Sequence, residues 1–347
     1  MGPFPDYESV PSLAVDLQPV VPKQVARRDS GAVKCEGWPF DSSVAAEKQL
    51  RSMAGGKTNL TVTLGEGVTL DLVRIPGGRF VMGSAEGHED EAPATVVDVK
   101  PFWMARVETS NAQYRQYRPE HESRREDRHG YQFGVLGYDE DQPDQPAVRV
   151  SWDEAMNFCR WVSKRSGLRI SLPTEAQWEW ACRAGTATPF WFGSLDADYS
   201  SYANLGDRKL KEFAADTSLD DYSSARPMVN PSRYDDWIPR DDRFDDGGFV
   251  TEPVGRYRPN PWGLHDMHGN AWEWTRSAYR AYPFGGQVED LVAGARVVRG
   301  GSWYDRPQRC TSSFRLAYQP WQRVFNVGFR VICEGEASMK TQVNPAK

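Results

Sequence analysis

The sequence predicts an α+β domain made of short strands, a few capped helices and a large share of irregular loop. Three observations lead to this fold class. The 347-residue chain is long enough to bury a substantial core. Its 30 Gly and 24 Pro residues interrupt regular elements often, which disfavours a doubly wound parallel sheet. Its 13 Trp, 14 Tyr and 15 Phe residues indicate a core that is aromatic rather than aliphatic.

The first 56 residues predict an extension that precedes the main domain. Residues 1–34 have no hydrophobic periodicity, so we expect an arm that either wraps the domain or stays mobile. Residues 42–53 have the pattern of a short helix, with Asp41 or Ser42 as its N-cap. The main domain is expected at residues 57–336, followed by a tail at 337–347.

The main domain is expected to begin with a β-hairpin. Residues 60–64 and 68–75 alternate in polarity, and a glycine-containing turn separates them. Residues 102–114 then pass from a strand into a helix that Thr109 or Ser110 caps. The next stretch, residues 119–145, is charged and irregular, and we interpret it as a surface insertion.

Two longer helices are marked by capping boxes. Ser151 precedes Glu154 by three residues, and Thr174 precedes Gln177 by the same spacing. Both segments are interpreted as scaffold. Between them and the next motif, residues 194–245 are rich in Asp and Ser, and most of this acidic stretch is expected to be solvated loop.

The segment 260–274 is rich in tryptophan and carries two acidic residues. Asp266 and Glu273 could aim their carboxylates at one point together with the carbonyl oxygens of Gly269 and Ala271, which is the oxygen environment that calcium requires. One alternative is a buried Trp-rich turn whose carboxylates are solvated. A second alternative is a transition-metal site at His265 and His268, which have H-x-x-H spacing.

Charge and hydropathy exclude two classes of partner. A formal net charge of -6 gives no support for a nucleic-acid partner. No apolar run approaches the roughly 18–20 residues of a transmembrane helix, so the chain is not expected to span a membrane. The first residues lack the features of a signal peptide, so the protein is expected to be cytoplasmic, or extracytoplasmic if a leader was removed before this numbering.

Several long motifs resemble those of the formylglycine-generating enzyme family, which is defined by the sulfatase-modifying-factor domain. The resemblance covers roughly residues 60–333, and the motifs occur in the family's order. They include Pro76–Ser84, Phe102–Tyr114, Pro146–Arg165, Leu172–Arg183, Asn260–Trp274, Arg296–Cys310 and Asn326–Arg330. The resemblance implies a variant of the C-type-lectin-like fold, a fold that hosts both enzymes and non-catalytic binders.

The resemblance also implies two calcium sites. In related proteins a first site uses an Asn side chain, the next carbonyl oxygen and a distant Asp-Gly-x segment. The positions that match in this sequence are Asn204, Leu205, Asp246 and Gly248. The loop around Asp266 would hold the second calcium ion.

In formylglycine-generating enzymes the last motif carries two cysteines that bind copper(I) and activate oxygen, so that a substrate cysteine is oxidised to formylglycine. The second of these positions is Cys310 in this sequence, but the first is Asp305. A carboxylate is a hard ligand and does not replace a thiolate in a copper(I) site. Copper is therefore in doubt as a cofactor, and the family's oxidation is expected to be lost or severely weakened.

The substitution at Asp305 leaves several interpretations open. Asp305 beside Cys310 could hold another cation, or it could act as a base beside a thiol. Alternatively, Asp305 pairs with Arg306 or Arg309 at the rim of a cleft, and Cys310 is simply buried.

The five cysteines fit neither a disulfide scaffold nor a zinc pattern. Cys182 is interpreted as a small buried hydrophobic residue. The resemblance to secreted relatives implies a disulfide between Cys159 and Cys333 if the protein matures outside the cytoplasm.

Two classes of function follow. The first is an oxygen-dependent oxidoreductase acting on a peptide or protein thiol, with Cys310 as the surviving thiolate and Ser302 and Asp305 beside it. The second is a non-catalytic binding or assembly subunit that presents its cleft and its N-terminal arm to a partner. Both predict a protein or peptide partner.

Overall fold

The structure is a computed structural model, and it describes residues 33–53, 59–65, 67–126, 138–209, 241–282 and 294–335. Most of the expected N-terminal arm, the tail at 337–347 and the centre of the acidic stretch at 210–240 lie outside the described residues. The helices are α1 (Ser42–Ser52), α2 (Asn111–Arg115), α3 (Trp152–Ser166) and α4 (Glu175–Arg183). Single 3₁₀ turns occur at Glu89–Glu91 and Pro307–Arg309. In the described ranges, no helix is both long enough and apolar enough to cross a membrane.

The strands are short, as the sequence predicts. In chain order they are β1 (Asn59–Gly65), β2 (Val68–Ile75), β3 (Gly78–Met82), β4 (Thr95–Val99), β5 (Phe102–Ala105), β6 (Arg125–Glu126), β7 (Tyr138–Asp139), β8 (Ile170–Ser171), β9 (Trp272–Ala278), β10 (Arg296–Arg299), β11 (Leu316–Tyr318), β12 (Val327–Gly328) and β13 (Ile332–Cys333).

The first sheet has five strands in the order β1-β2-β5-β13-β8, and all its pairs are antiparallel. The predicted hairpin is confirmed, with Leu60 opposite Leu72. Strand β13 comes from the far end of the described chain and lies between β5 and β8, so Ile332 faces both Met104 and Ser171. This sheet therefore joins the first and last parts of the domain.

The second sheet carries the candidate site and has the order β11-β10-β9-β12. Strand β9 pairs antiparallel with β10, where Glu273 is opposite Arg299, and parallel with β12, where Glu273 is opposite Gly328. The end of the Trp-rich segment is thus a central strand rather than loop. Its acidic residues are buried, since Asp266 is 2% exposed and Glu273 is 1% exposed, which contradicts the alternative of a turn with solvated carboxylates.

The predicted helix starts are confirmed. The Asp41 carboxylate caps α1 by accepting the backbone N–H of Ser43 at 2.9 Å. Capping boxes begin the other three helices, at Ser110, Ser151 and Thr174, and each box satisfies two backbone N–H groups that have no partner inside the helix.

The core is aromatic, as the composition indicates. The largest fully buried side chains include six tryptophans, at positions 178, 180, 262, 272, 274 and 303. Helix α1 packs into this core: Ala45 is fully buried, and its carbonyl oxygen accepts the Trp262 indole N–H at 3.1 Å. Gln49 donates to the carbonyl oxygens of Arg74 and Trp262, at 2.8 and 2.9 Å. The helix of the extension is therefore joined to the domain by apolar and polar contacts.

The interpretation of residues 119–145 as a surface insertion holds for part of its described ends, where residues 119, 120, 122, 124 and 142–144 are exposed, but three polar side chains there are buried. Ser123 and Glu140 are fully buried, and Gln145 is buried as well. The Asn111 amide donates to the carbonyl oxygens of Glu140 and Gln142, at 3.0 and 2.9 Å. Charged composition hid this burial because the polar groups satisfy one another inside the fold.

Candidate functional site

The loop that resembles the family's catalytic motif leaves β10 through two glycines. Gly300 and Gly301 both have left-handed backbone, with φ of 101° and 78°. A Cβ on Gly301 would lie 2.2 Å from the Cys310 sulfur. Glycine at this position therefore lets the Cys310 thiol pack directly against the backbone that leads into Ser302.

The Asp305 carboxylate is saturated by groups of the protein. Its Oδ2 accepts the Ser302 hydroxyl at 2.6 Å and the Trp272 indole N–H at 2.7 Å. Its Oδ1 lies 3.0 Å from a guanidinium nitrogen of Arg309. Asp305 is 3% exposed, so these three donors replace the water that a carboxylate would otherwise bind. This geometry agrees with the alternative interpretation of the sequence, in which Asp305 forms an ion pair with a neighbouring arginine, here Arg309.

Asn326 extends this cluster. Its side-chain amide donates to the Ser302 hydroxyl oxygen at 2.8 Å, which leaves the Ser302 hydrogen for Asp305. The Asn326 Oδ1 is buried without a hydrogen-bond partner among the described residues. The roles of Trp272 and Asn326 were not predicted from the sequence. The pairing of β9 with β12, which brings the two residues together, was the missing information.

The thiol of Cys310 is fully buried. Burial and the negative charge of Asp305 raise its pKa well above the ordinary value, and Arg309 offsets only part of this effect. The thiol is therefore neutral at physiological pH, whereas the thiolate is the form that attacks substrates and binds metals.

The two histidines of the Trp-rich segment do not form a metal pair. His265 Nδ1 lies 2.7 Å from the Tyr257 carbonyl oxygen, and His268 Nδ1 lies 2.7 Å from the Cys310 carbonyl oxygen. Burial lowers the pKa of His268 to about 3, so its ring is neutral. Its Nε2 accepts the backbone N–H of Trp191 at 3.2 Å, which leaves no lone pair for a metal.

These donors do not fit copper(I). The only sulfur at the Asp305 cluster among the described residues is the neutral thiol of Cys310. The oxygen atoms of Asp305 are hard donors, and protein groups already occupy them. Cys182 and the pair Cys159 and Cys333 are buried elsewhere as free thiols.

The structure brings together the four residues of the first expected calcium site. The Asp246 carboxylate accepts the backbone N–H groups of Leu205 and Gly248, both at 2.7 Å. The Asn204 Oδ1 is buried without a hydrogen-bond partner, and a Cβ on Gly248 would lie 2.7 Å from it. Burial and the neighbouring Asp207 raise the pKa of Asp246 to about 8, so an added cation would stabilise this carboxylate.

The second expected calcium site is a buried cluster with more acids than bases. Glu273 is held by the Arg330 guanidinium, with three contacts of 2.6 to 2.8 Å, and by the Trp178 indole N–H at 2.7 Å. Glu108, which the sequence analysis missed, also lies here. One oxygen each of Asp266 and Glu108 is buried without a hydrogen-bond partner.

Burial and the charge of Asp266 raise the pKa of Glu108 well above its ordinary value. Three carboxylates therefore share one guanidinium, that of Arg330, in this part of the interior. A hard cation would relieve this excess of negative charge.

Asn270 lies between the two clusters. Its Oδ1 accepts from the Asn204 amide at 3.1 Å, and its Nδ2 donates to Glu108 at 2.9 Å. Its backbone carbonyl accepts from Trp303 in the loop that carries Ser302. Both expected cation sites are thus hydrogen-bonded to one residue and, through it, to the Asp305 cluster.

The oxygen donors fit calcium in kind. No group of three or more His, Cys, Asp or Glu side chains within the described ranges has metal-binding geometry, so carboxylates alone do not form either site. Amide and main-chain carbonyl oxygens, such as those of Asn204, Leu205, Gly269 and Ala271, would have to complete the coordination.

Comparison with known proteins places this architecture in a family. The family model for the sulfatase-modifying factor enzyme 1-like domain matches residues 63–334. The inactive C-alpha-formylglycine-generating enzyme 2 of Bos taurus is 28% identical over 315 residues, which cover 77% of this chain and 89% of that protein. The formylglycine-generating enzyme of Streptomyces coelicolor is 27% identical over 323 residues, which cover 77% of this chain and 90% of that protein.

Solved structures agree with the fold. PvdO from Pseudomonas aeruginosa superposes with a TM-score of 0.58 and 25% identity, over 81% of this chain and all of PvdO. Treponema denticola variable protein 1 superposes with a TM-score of 0.59 and 20% identity, over 80% of this chain and 99% of that protein. The expected variant of the C-type-lectin-like fold is confirmed.

Proposed function

Because the chain belongs to the sulfatase-modifying factor enzyme 1-like family, we propose that it keeps the family scaffold as a non-catalytic binding or assembly subunit for a protein or peptide partner. The observation that carries this proposal is the state of the Asp305 carboxylate. It stands at the first copper position and is satisfied by Ser302, Trp272 and Arg309.

Charge supports the proposal. In a copper(I) site, a metal cation balances thiolate charge. In this chain the charge at position 305 is balanced by a side chain of the protein itself, the Arg309 guanidinium. The neutral thiol of Cys310 supplies no second anion. The name of the Bos taurus relative, an inactive formylglycine-generating enzyme, is consistent with loss of catalysis on this scaffold.

Two calcium ions are part of the proposal as structural cofactors. Asn204, Leu205, Asp246 and Gly248 would hold one, and Asp266, Gly269, Ala271 and Glu273 would hold the other. The unpartnered Asn204 oxygen and the acid excess around Arg330 support this assignment. Bound calcium would fix the loops that Asn270 connects, and these loops would then be preorganised for a partner.

The second candidate is an oxygen-dependent oxidoreductase that acts on a peptide or protein thiol by a route without the two-cysteine copper site. The observation that favours it is Asn326, whose buried Oδ1 lacks a partner beside Ser302. Such an atom could accept a hydrogen bond from a substrate. Formylglycine-generating enzymes and a hercynine oxygenase of Mycolicibacterium smegmatis are among the relatives, so oxygen-dependent chemistry occurs in the family.

Anaerobic copper(I) titration of the reduced protein separates the two candidates, when it is combined with mass spectrometry of a cysteine-containing peptide incubated in air. We expect the natural protein to bind no copper(I) at the Asp305 cluster and to leave the peptide unchanged. Asp305→Cys is expected to gain one copper(I) ion, and the further change Cys310→Ser should abolish that gain. Conversion of the peptide by the natural protein would refute the non-catalytic proposal.

A further inference from the structure

A surface cleft opens beside the N-terminus of α3, and no assigned function uses it. Its volume is about 530 Å³, within the range of small-ligand sites. Its rim carries Trp321, whose 70% exposure makes it one of three large exposed hydrophobic residues among those described. The residues that line it are Ser151, Asp153, Glu154, Trp321, Gln322, Arg323 and Val324.

Hydrogen bonds hold the shape of the cleft. The backbone N–H of Asp153 donates to the Pro320 carbonyl oxygen at 3.3 Å, which ties helix α3 to the loop that carries Trp321. Gln319 and Gln322 close a turn around Trp321: the backbone N–H of Gln322 donates to the Gln319 carbonyl oxygen at 3.0 Å, and that of Gln319 donates to the Gln322 side chain at 2.7 Å. A site held in this way loses little entropy when a ligand binds.

The charged side chains of the cleft leave a single carboxylate unpaired. Glu154 accepts from Arg323 at 2.9 and 2.5 Å, and it also pairs with Arg118. Asp153 adds a second carboxylate, which makes no hydrogen bond or ion pair with any described side chain. Arg323 and Arg118 therefore balance Glu154, although Arg118 also pairs with Glu120 outside the lining, and the one carboxylate left over in the cleft, that of Asp153, disfavours an anionic ligand.

Apart from its charges, the cleft offers a ligand a flat aromatic ring next to hydrogen-bond donors and acceptors. Asp153 supplies an accepting carboxylate, the Gln322 amide nitrogen supplies donors, and the edge of the Arg323 guanidinium can donate further. A ligand that matches this set has an apolar face to stack on Trp321 and hydroxyl groups at its edges. We propose that the cleft is a binding site for neutral oligosaccharides, whose pyranose rings combine these two properties.

The test is a binding titration by saturation-transfer difference NMR and calorimetry. The probes are neutral tetrasaccharides of glucose, mannose, galactose, xylose and N-acetylglucosamine, with an oligogalacturonate and an oligolysine peptide as charged comparators. Trp321→Ala removes the stacking surface, and Trp321→Phe keeps a smaller ring. Leu50→Ala is the matched control, because Leu50 is a large hydrophobic residue with 65% exposure on a different element. Melting temperatures show whether each variant is folded.

We expect at least one neutral tetrasaccharide to bind the natural protein. Trp321→Ala should weaken that binding by about tenfold or more, Trp321→Phe should weaken it less, and Leu50→Ala should leave it unchanged. Asp153→Asn should also weaken it. The proposal is overturned if only the charged comparators bind, if no probe binds, or if Trp321→Ala binds the sugar as well as the natural protein does. None of these results depends on the Asp305 cluster.

Discussion

Arg309 and Asp305, four residues apart in the sequence, form an ion pair with a guanidinium nitrogen 3.0 Å from the carboxylate oxygen, at the position where relatives are expected to bind copper. The pair is asymmetric, because Asp305 is 3% exposed whereas 39% of the Arg309 side chain is exposed. The acid is therefore an interior group, and the base reaches it from the protein surface.

This asymmetry predicts unequal costs for the two halves of the pair. Asp305→Ala leaves the Trp272 indole N–H and the Ser302 hydroxyl without their acceptor, so we expect a loss of about 3 kcal/mol in the free energy of unfolding. Arg309→Ala leaves Asp305 with those two donors and should cost about 1 kcal/mol. Urea denaturation measures both losses. Arg306→Ala, at an exposed neighbouring position, is the control. Equal losses for Asp305→Ala and Arg309→Ala would contradict the asymmetry of the pair.

Calcium is expected to stabilise the fold. At a free calcium concentration of 100 times Kd, one site adds about 2.7 kcal/mol, so a chelator should lower the melting temperature by several degrees. Asn204→Ala removes the unpartnered side-chain oxygen of the first site and should reduce, but not abolish, this response. Asp242→Asn removes an exposed carboxylate of the same acidic stretch and should respond like the natural protein. A melting temperature that does not change with chelator or calcium would exclude both sites.

Two glycines with similar backbone should respond differently to alanine. Gly301 and Gly167 have φ of 78° and 72°. A Cβ on Gly167, which ends α3, meets no atom within 4 Å, so Gly167→Ala should cost only the left-handed backbone penalty of about 1–2 kcal/mol. Gly301→Ala would place its Cβ 2.2 Å from the Cys310 sulfur and should cost about 3 kcal/mol or more. Thermal unfolding of both variants measures the difference, and similar losses would show that the thiol does not pack there.

Because of Glu154, part of the free energy of unfolding should depend on pH in the acidic range. Burial acts to raise its pKa, but hydrogen bonds from Arg323 and from Ser151 outweigh burial and bring the pKa to about 2, from an ordinary value of 4.5. Because the folded pKa is the lower one, this stability is present above pH 4.5 and is lost as pH falls towards 2.

Glu154→Gln keeps the capping box and removes the titrating group, so its stability should change less between pH 4.5 and 2 than that of the natural protein. Denaturant unfolding across this pH range measures the slope. Glu47→Gln, at an exposed helix position, is the control. If the free energy of unfolding changed equally with pH in Glu154→Gln and in the natural protein, Glu154 would not be the source of this pH dependence.

Local patterns were enough to predict the helices and the first hairpin of this fold. The capping residues Asp41, Ser151 and Thr174 stand where the sequence places them, because each cap depends on residues only two or three positions away. The two carboxyl groups of the Trp-rich segment are buried, which is contrary to the alternative of solvated carboxylates, and their binding of calcium stays a prediction.

The contacts between distant segments could not be predicted in this way. Asn326 reaches Ser302 because β12 pairs with β9, and Glu108 reaches Asn270 across 162 positions. Neither residue has a local pattern that separates it from an ordinary polar side chain. The burial of Ser123 and Glu140 was missed for the same reason, because polar groups that satisfy one another have the composition of a surface.

The central place of β13 has a consequence for biosynthesis. Ile332 and Cys333 fill the gap between β5 and β8, so the first sheet is open until almost the whole described chain has left the ribosome. Up to that moment the strand edges at Met104 and Ser171 lack their partner, and exposed edges of this kind favour aggregation. We therefore expect nascent chains that stop before residue 332 to depend on chaperones, and the synthesis of the last strand to release them.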